Sequence, residues 1–87
     1  MDTGEGNGME DMEKLLEVLS EVNEDVDFAH ETALVDEGLI DSFDIVAIIA
    51  GLNAAFGVRI RAADIAPENF NSAAAILETV RRERARS

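Results

Sequence analysis

Gly38-Leu39-Ile40-Asp41-Ser42-Phe43-Asp44 is the stretch from which the rest of this 87-residue chain is read. Asp41 stands where a helix N-cap belongs, Asp44 falls at the third helical position, and an apolar run comes next. A capping carboxylate satisfies N–H groups that the first turn of a helix leaves without partners. The helix should run to Phe56, with Gly57 as its stop, because glycine takes the left-handed backbone that ends helices. Ile45, Ile48, Ile49, Leu52 and Phe56 recur at helical spacing and form a core-facing stripe. Phe43, Val46, Ala47, Ala50 and Ala54 lie nearer solvent. Ser42 thus sits in the first helical turn, preceded by Asp41 and framed by apolar side chains. On those residues alone the plainer reading is a capping box with a spare serine.

Working outward, Met9 to about Val22 predicts a first helix, with Met12, Leu15, Leu16, Leu19 and Val22 as its apolar stripe. Glu10, Asp11 and Glu13 occupy its first turn, where the helix dipole favours negative charge. Asn23 to Ile40 shows no sustained period and carries apolar anchors at Val26, Phe28, Leu34, Leu39 and Ile40. A connection of that length inside a small domain is uncommon and usually functional. Val58 and Ile60 flank Arg59 as a strand would, but three residues make no sheet. Ala62 to Ala66 predicts one short helical turn closed by Pro67, and Ser72 caps a last helix from Ala73 to about Arg84, with Ile76, Leu77 and Val80 facing inward. The expected architecture is all-α: three main helices, one short one and a long first loop. The expected core is Leu15, Leu16, Leu19, Phe28, Leu34, Ile45, Ile48, Ile49, Leu52, Phe56, Ile65, Phe70, Ile76 and Val80. Residues 1–8 read as a flexible tail and 9–86 as a single domain.

Composition removes several classes of function. There is no cysteine, hence no disulfide, no thiolate metal site and no thiol nucleophile of the chain's own. The one histidine, His30, gives no His-rich metal site, and no metal is expected. A formal charge of −12 disfavours nucleic acid, which needs clustered Lys and Arg, and favours partners with basic surfaces. That charge is lopsided: residues 1–44 hold 15 acids and one base, whereas residues 45–87 hold 4 acids and 6 bases, all arginine. The start of the chain, polar and acidic, does not read as a signal peptide. The longest low-charge run, Ile45 to Val58, is shorter than the ~20 apolar residues a bilayer span needs, so no membrane span and a cytoplasmic location are expected.

Joined to the residues on its C-terminal side, the central stretch gains a second meaning. The Gly-Leu-Ile-Asp-Ser-Phe run, the Phe-Gly-Val-Arg-Ile helix end at 56–60, Pro-Glu-Asn-Phe at 67–70 and a capped last helix resemble, in order and spacing, the acyl and peptidyl carrier proteins. The resemblance covers about residues 9–84; Asp-Val-Asp-Phe (25–28) and Pro-Glu-Asn-Phe look most like free-standing carriers related to D-alanyl carrier proteins. It implies a four-helix carrier bundle that is not itself an enzyme. It implies that Ser42 receives 4′-phosphopantetheine from coenzyme A through a phosphopantetheinyl transferase, with Asp41 helping to present the serine. It also implies cargo held as a thioester, loaded by an acyl- or aminoacyl-adenylating ligase. An acyltransferase, a condensing enzyme or a tailoring enzyme would then receive it. A monomer is expected. The cargo either swings free or shelters between the helix after Ser42 and the segment after Arg61, where Ala62, Ala63, Ala66, Ala73 and Ala74 are small.

The chain departs from fatty-acid carriers in one place. Those carriers line the helix after the serine with acids, whereas only Asp44 is charged between Ser42 and Arg59. Partners are therefore expected to dock on Phe43, Val46 and Ala50, with Asp36, Glu37 and Asp44 at the rim. A fatty-acid carrier remains the nearer alternative, and an unmodified carrier-fold interaction module the more distant one. Other readings fare worse. Asp25, Asp27 and Asp36 match three positions of a calcium loop, but Ala29 and His30 stand where a ligand oxygen and glycine are required. A serine hydrolase built on Ser42 lacks the Gly-x-Ser-x-Gly elbow.

Overall fold

The pattern of caps and stops along the chain becomes four α-helices in the computed structural model, which describes residues 7–86. They are α1 (Asn7–Val22), α2 (Ser42–Phe56), a single turn α3 (Pro67–Phe70) and α4 (Ala73–Arg86), with a 3₁₀ turn at Ala62–Asp64 between α2 and α3. No strand occurs among the described residues, so the all-α expectation holds. Residues 1–6 of the expected tail lie outside the described residues, while Asn7 and Gly8, also assigned to it, belong to α1.

The three long helices meet around Leu15 and Leu19 of α1, Ile48 and Leu52 of α2, and Ile76 and Val80 of α4, all fully buried. Gly51 lets α1 and α2 close up: a Cβ there would stand 2.7 Å from Val18 Cγ1. Phe56, half-buried at the end of α2, has the Lys14 ammonium 5.2 Å and the Arg84 guanidinium 5.7 Å from its ring centre. Cations from α1 and α4 therefore grip one ring of α2.

Two expectations are corrected. Ile65 is 46 % exposed instead of buried. Pro67 does not close a turn but opens α3 at its first position, where a missing N–H costs nothing and the fixed φ is already helical. Leu16, Ile49 and Phe56 line the core's edge, half-buried, while Ile40, Val58, Ile60, Ala73 and Leu77 join it. Val58 and Ile60 are buried while Arg59 and Arg61 are exposed. The alternation seen in the sequence is thus real, in a segment between helices that pairs with no strand among the described residues.

Asparagine side chains hold the irregular segments. Asn53 in α2 accepts from Gly57 N–H with its carbonyl (3.0 Å) and from Ile60 N–H with its Oδ1 (3.0 Å). Asn69 Nδ2 donates to the Asp64 carbonyl at 2.8 Å. Asn71 does most: its carbonyl accepts from Leu34 N–H (2.8 Å), and its Oδ1 accepts from Val35 N–H (2.9 Å) and Asp36 N–H (3.1 Å). Partial burial pushes the Asp64 carboxyl up, but a hydrogen bond with Glu83, the Arg61 N–H and the charges of Arg61 and Arg82 outweigh it. Asp64 is held below the ordinary value of 3.8.

Asn71→Ala should therefore lower unfolding stability by roughly 1–3 kcal/mol, the cost of leaving the half-buried Val35 N–H without its acceptor and of releasing the exposed Asp36 N–H. Urea titration checks this, and an unchanged midpoint would contradict the bracing role.

Candidate functional site

The site is built where the long loop meets α2. Ile40 (2 % exposed) and Ile45 (9 %) are buried on either side of the turn, and Asp41, Ser42 and Phe43 between them are pushed to the surface. Gly38, with φ 73°, gives the loop its left-handed bend just before. Asp41 is the extended N-cap, as expected: its Oδ1 accepts from Asp44 N–H at 2.9 Å, and Asp44 Oδ2 accepts from Asp41 N–H at 3.3 Å. This reciprocal box uses two of the free N–H groups at the helix start. The N–H groups of Ser42 and Phe43 keep no acceptor among the described residues.

Ser42 differs from the other serines of the helical core. Ser20 Oγ donates to the Glu17 carbonyl at 3.1 Å, and Ser72 Oγ accepts from Ala75 N–H at 3.1 Å, capping α4 as expected. The Ser42 hydroxyl is exposed and has no partner among the described residues. It stands at the positive end of a 15-residue helix.

Phe43 (81 % exposed) and Val46 (64 %) are large apolar side chains in solvent, and Ala50 is exposed with them. Phe43 also lines an open groove of about 730 Å³ between α2 and α1, with Ala47 and Ala54 on one side and Val18 and Val22 on the other. This groove lies against α1, not against the segment after Arg61 where the sequence suggested shelter. Asp36 and Glu37 are exposed and Asp44 half-buried. Asp36 has a structural duty that the sequence did not reveal, its Oδ2 accepting from Asn71 Nδ2 at 3.2 Å. Ile65 is the exposed apolar residue that sequence reasoning missed; a position in a short turn carries no period to expose it. His30 is exposed, its Nδ1 2.9 Å from Asp27 Oδ2. Asp25, Asp27 and Asp36 form no metal-holding group among the described residues.

The sequence profile of the family described as phosphopantetheine attachment site matches residues 13–80, most of the chain. The chain belongs to this family of acyl and peptidyl carrier proteins. The family carries covalently attached 4′-phosphopantetheine, and its carrier domains are not themselves catalytic. No curated protein and no solved structure matches the chain. No helix among the described residues is long and apolar enough to cross a membrane.

The residues of this carrier fit the group. An attachment serine must offer a hydroxyl that the fold does not already use, and a phosphodiester on it needs nearby donors. Ser42 offers the first, and the two unclaimed N–H groups at the start of α2 offer the second. The flanking carboxylates are already occupied as cap acceptors, and at an exposed site their charge is screened by salt.

The capping role of Asp41 has a direct check. Asp41→Ala should cost about 1 kcal/mol of stability, whereas Asp41→Asn, which caps equally well, should stay close to the parent chain. Equal losses for the two variants in urea titration would contradict it.

Proposed function

We propose that this protein is an acyl or aminoacyl carrier whose 4′-phosphopantetheine is attached to Ser42. The observation that carries the reading is the difference between serines: within the family match, Ser20 and Ser72 are engaged by the backbone, and the Ser42 hydroxyl is exposed and has no partner among the described residues. In the loading step the Ser42 oxygen bonds to the pantetheine-side phosphorus of coenzyme A and gives up its proton; the pyrophosphate P–O bond breaks and adenosine 3′,5′-bisphosphate leaves, while Asp41 holds the turn that presents the serine. The capping box keeps this first turn formed before the transferase arrives, so less ordering is needed on binding. When bound, the group supplies a terminal thiol that a cysteine-free chain lacks, and cargo is held there as a thioester.

The proposed partners are a phosphopantetheinyl transferase, an adenylating ligase that loads the cargo, and a downstream acyltransferase, condensing or tailoring enzyme. The protein is taken as a cytoplasmic monomer that is not itself an enzyme, similar to free-standing D-alanyl-type carriers. Docking is assigned to Phe43, Val46 and Ala50, with Asp36, Glu37 and Asp44 around them. The fatty-acid carrier reading is weaker because the exposed face of α2 bears alanines and two large apolar side chains where that class uses acids.

Attachment and docking are tested separately. Incubated with coenzyme A and a phosphopantetheinyl transferase, the parent chain should gain the mass of the prosthetic group and Ser42→Ala should not. A mass gain on that variant would refute the assignment. In cargo loading by the cognate ligase, Phe43→Ala should slow the reaction, and a NaCl series should change the parent rate only weakly. A steep fall with salt would show that docking is electrostatic instead.

A further inference from the structure

All six arginines of this acidic chain lie in residues 59–86, and the fold does not use them equally. Arg82 is spent internally, donating to Asn69 Oδ1 (3.2 Å) and Thr79 Oγ1 (3.4 Å). Arg84 likewise pairs with Asp11 at 3.4 Å and lies over Phe56. Arg59, Arg61 and Arg86 are different. With Glu83 they line a surface pocket of about 360 Å³ beside the end of α4. Glu83 is 5 % exposed, and its Oε1 lies 3.6 Å from Arg61 Nε and 3.9 Å from Arg86 Nε. Both arginines meet Glu83 through Nε, and their Nη groups have no acceptor among the described residues. Arg59 is exposed, with no ion pair or hydrogen bond from its guanidinium among the described residues.

One buried carboxylate therefore positions two guanidinium groups, and a third completes the rim with positive charge in excess. Compensation of the α4 dipole accounts for positive charge at a helix end. It does not require the three to share a pocket around one buried anion, nor arginine instead of lysine. Planar guanidinium forks whose Nη groups make no hydrogen bond among the described residues suit bidentate capture of carboxylates.

We infer that the Arg59–Arg61–Arg86 pocket is a docking site for an acidic segment of a protein partner, held by side-chain carboxylates. The charge of the rest of the molecule selects this occupant. A net −12, concentrated in residues 1–44, repels an extended polyanion or an anionic bilayer, which would have to approach many acids at once. A short acidic segment needs to meet only the arginine pole. The site also leaves the loading face clear. Arg59 lies just past the C-terminal end of α2 and Ser42 begins it, about 22 Å apart along a helix of 15 residues. A partner held here could stay bound while Ser42 is served, and the inference does not depend on Ser42 being the attachment residue.

The test is a ¹H–¹⁵N NMR titration of the full chain with a capped hexaglutamate peptide. Shift changes are expected at the side-chain Nε–H groups of Arg59, Arg61 and Arg86, with none at Ser42 or Phe43. Affinity should fall at least tenfold from low to high NaCl. Arg59→Gln, which breaks no ion pair or side-chain hydrogen bond among the described residues, should weaken binding several-fold, whereas Lys14→Gln on α1 should not. Changes spread over the surface, no binding, or an unaltered affinity in Arg59→Gln would overturn the inference. So would equal or tighter competition at matched charge from inorganic phosphate, a ten-residue thymidine oligonucleotide or phosphatidylserine vesicles.

Discussion

A single residue, Asn71, closes the longest irregular segment among the described residues, with its backbone carbonyl and its carboxamide together. Between α1 and α2 the chain must cross without a helix of its own, and its N–H groups need acceptors from elsewhere. Asn71, at the C-terminal end of α3, supplies them to Leu34, Val35 and Asp36, some 35 residues away in sequence. With Leu34 fully buried and both Leu39 and Ile40 N–H groups turned back onto the Leu34 carbonyl, the loop arrives at Asp41 in one conformation. The capping box then starts α2, and the buried pair Ile40 and Ile45 leaves Ser42 facing outward. The local geometry of the serine is thus the end of a chain of contacts that begins in α3.

The uneven charge of the molecule takes on structure from this arrangement. The acids of the first half surround the loop and α1, whereas the face of α2 beyond Asp44 is small and apolar. Arginines gather at the opposite end of α2 and along α4. Some of them hold helices together, as Arg84 does through Asp11 and Phe56, and others have guanidinium edges to spare. Loading chemistry, apolar docking and charged docking would then occupy separate parts of a small surface.

The features legible in the sequence were those that obey local rules. The Asp41 cap, the Gly57 stop in left-handed conformation and the Ser72 cap each depend on residues within one helical turn. The stripe Ile45, Ile48 and Leu52 arises from helical spacing alone. The misreadings fell where geometry is not local. Pro67 is compatible with ending one helix and with starting the next, and only packing of Phe70 into the core decides between them. Ile65 sits in an aperiodic segment, so its hydrophobicity suggested burial that the turn does not provide. Asn53 carries no sign in the sequence of the part it plays, bonding the segment after α2 through the Ile60 N–H. Long-range hydrogen bonds of this kind leave no periodic mark in sequence. Ser42 is legible in the sequence as a spare serine beside the Asp41 cap, but that no backbone group among the described residues engages its hydroxyl is seen only in the fold.

The central claim is that the fold reserves one serine for the prosthetic group. Its most direct measurement is top-down fragmentation of the intact loaded protein, which locates the added mass along the chain without any substitution. The account predicts that fragments ending before Ser42 are unmodified, and that every N-terminal fragment containing Ser42 carries the group. The group found on Ser20, Ser72 or any other hydroxyl would contradict it.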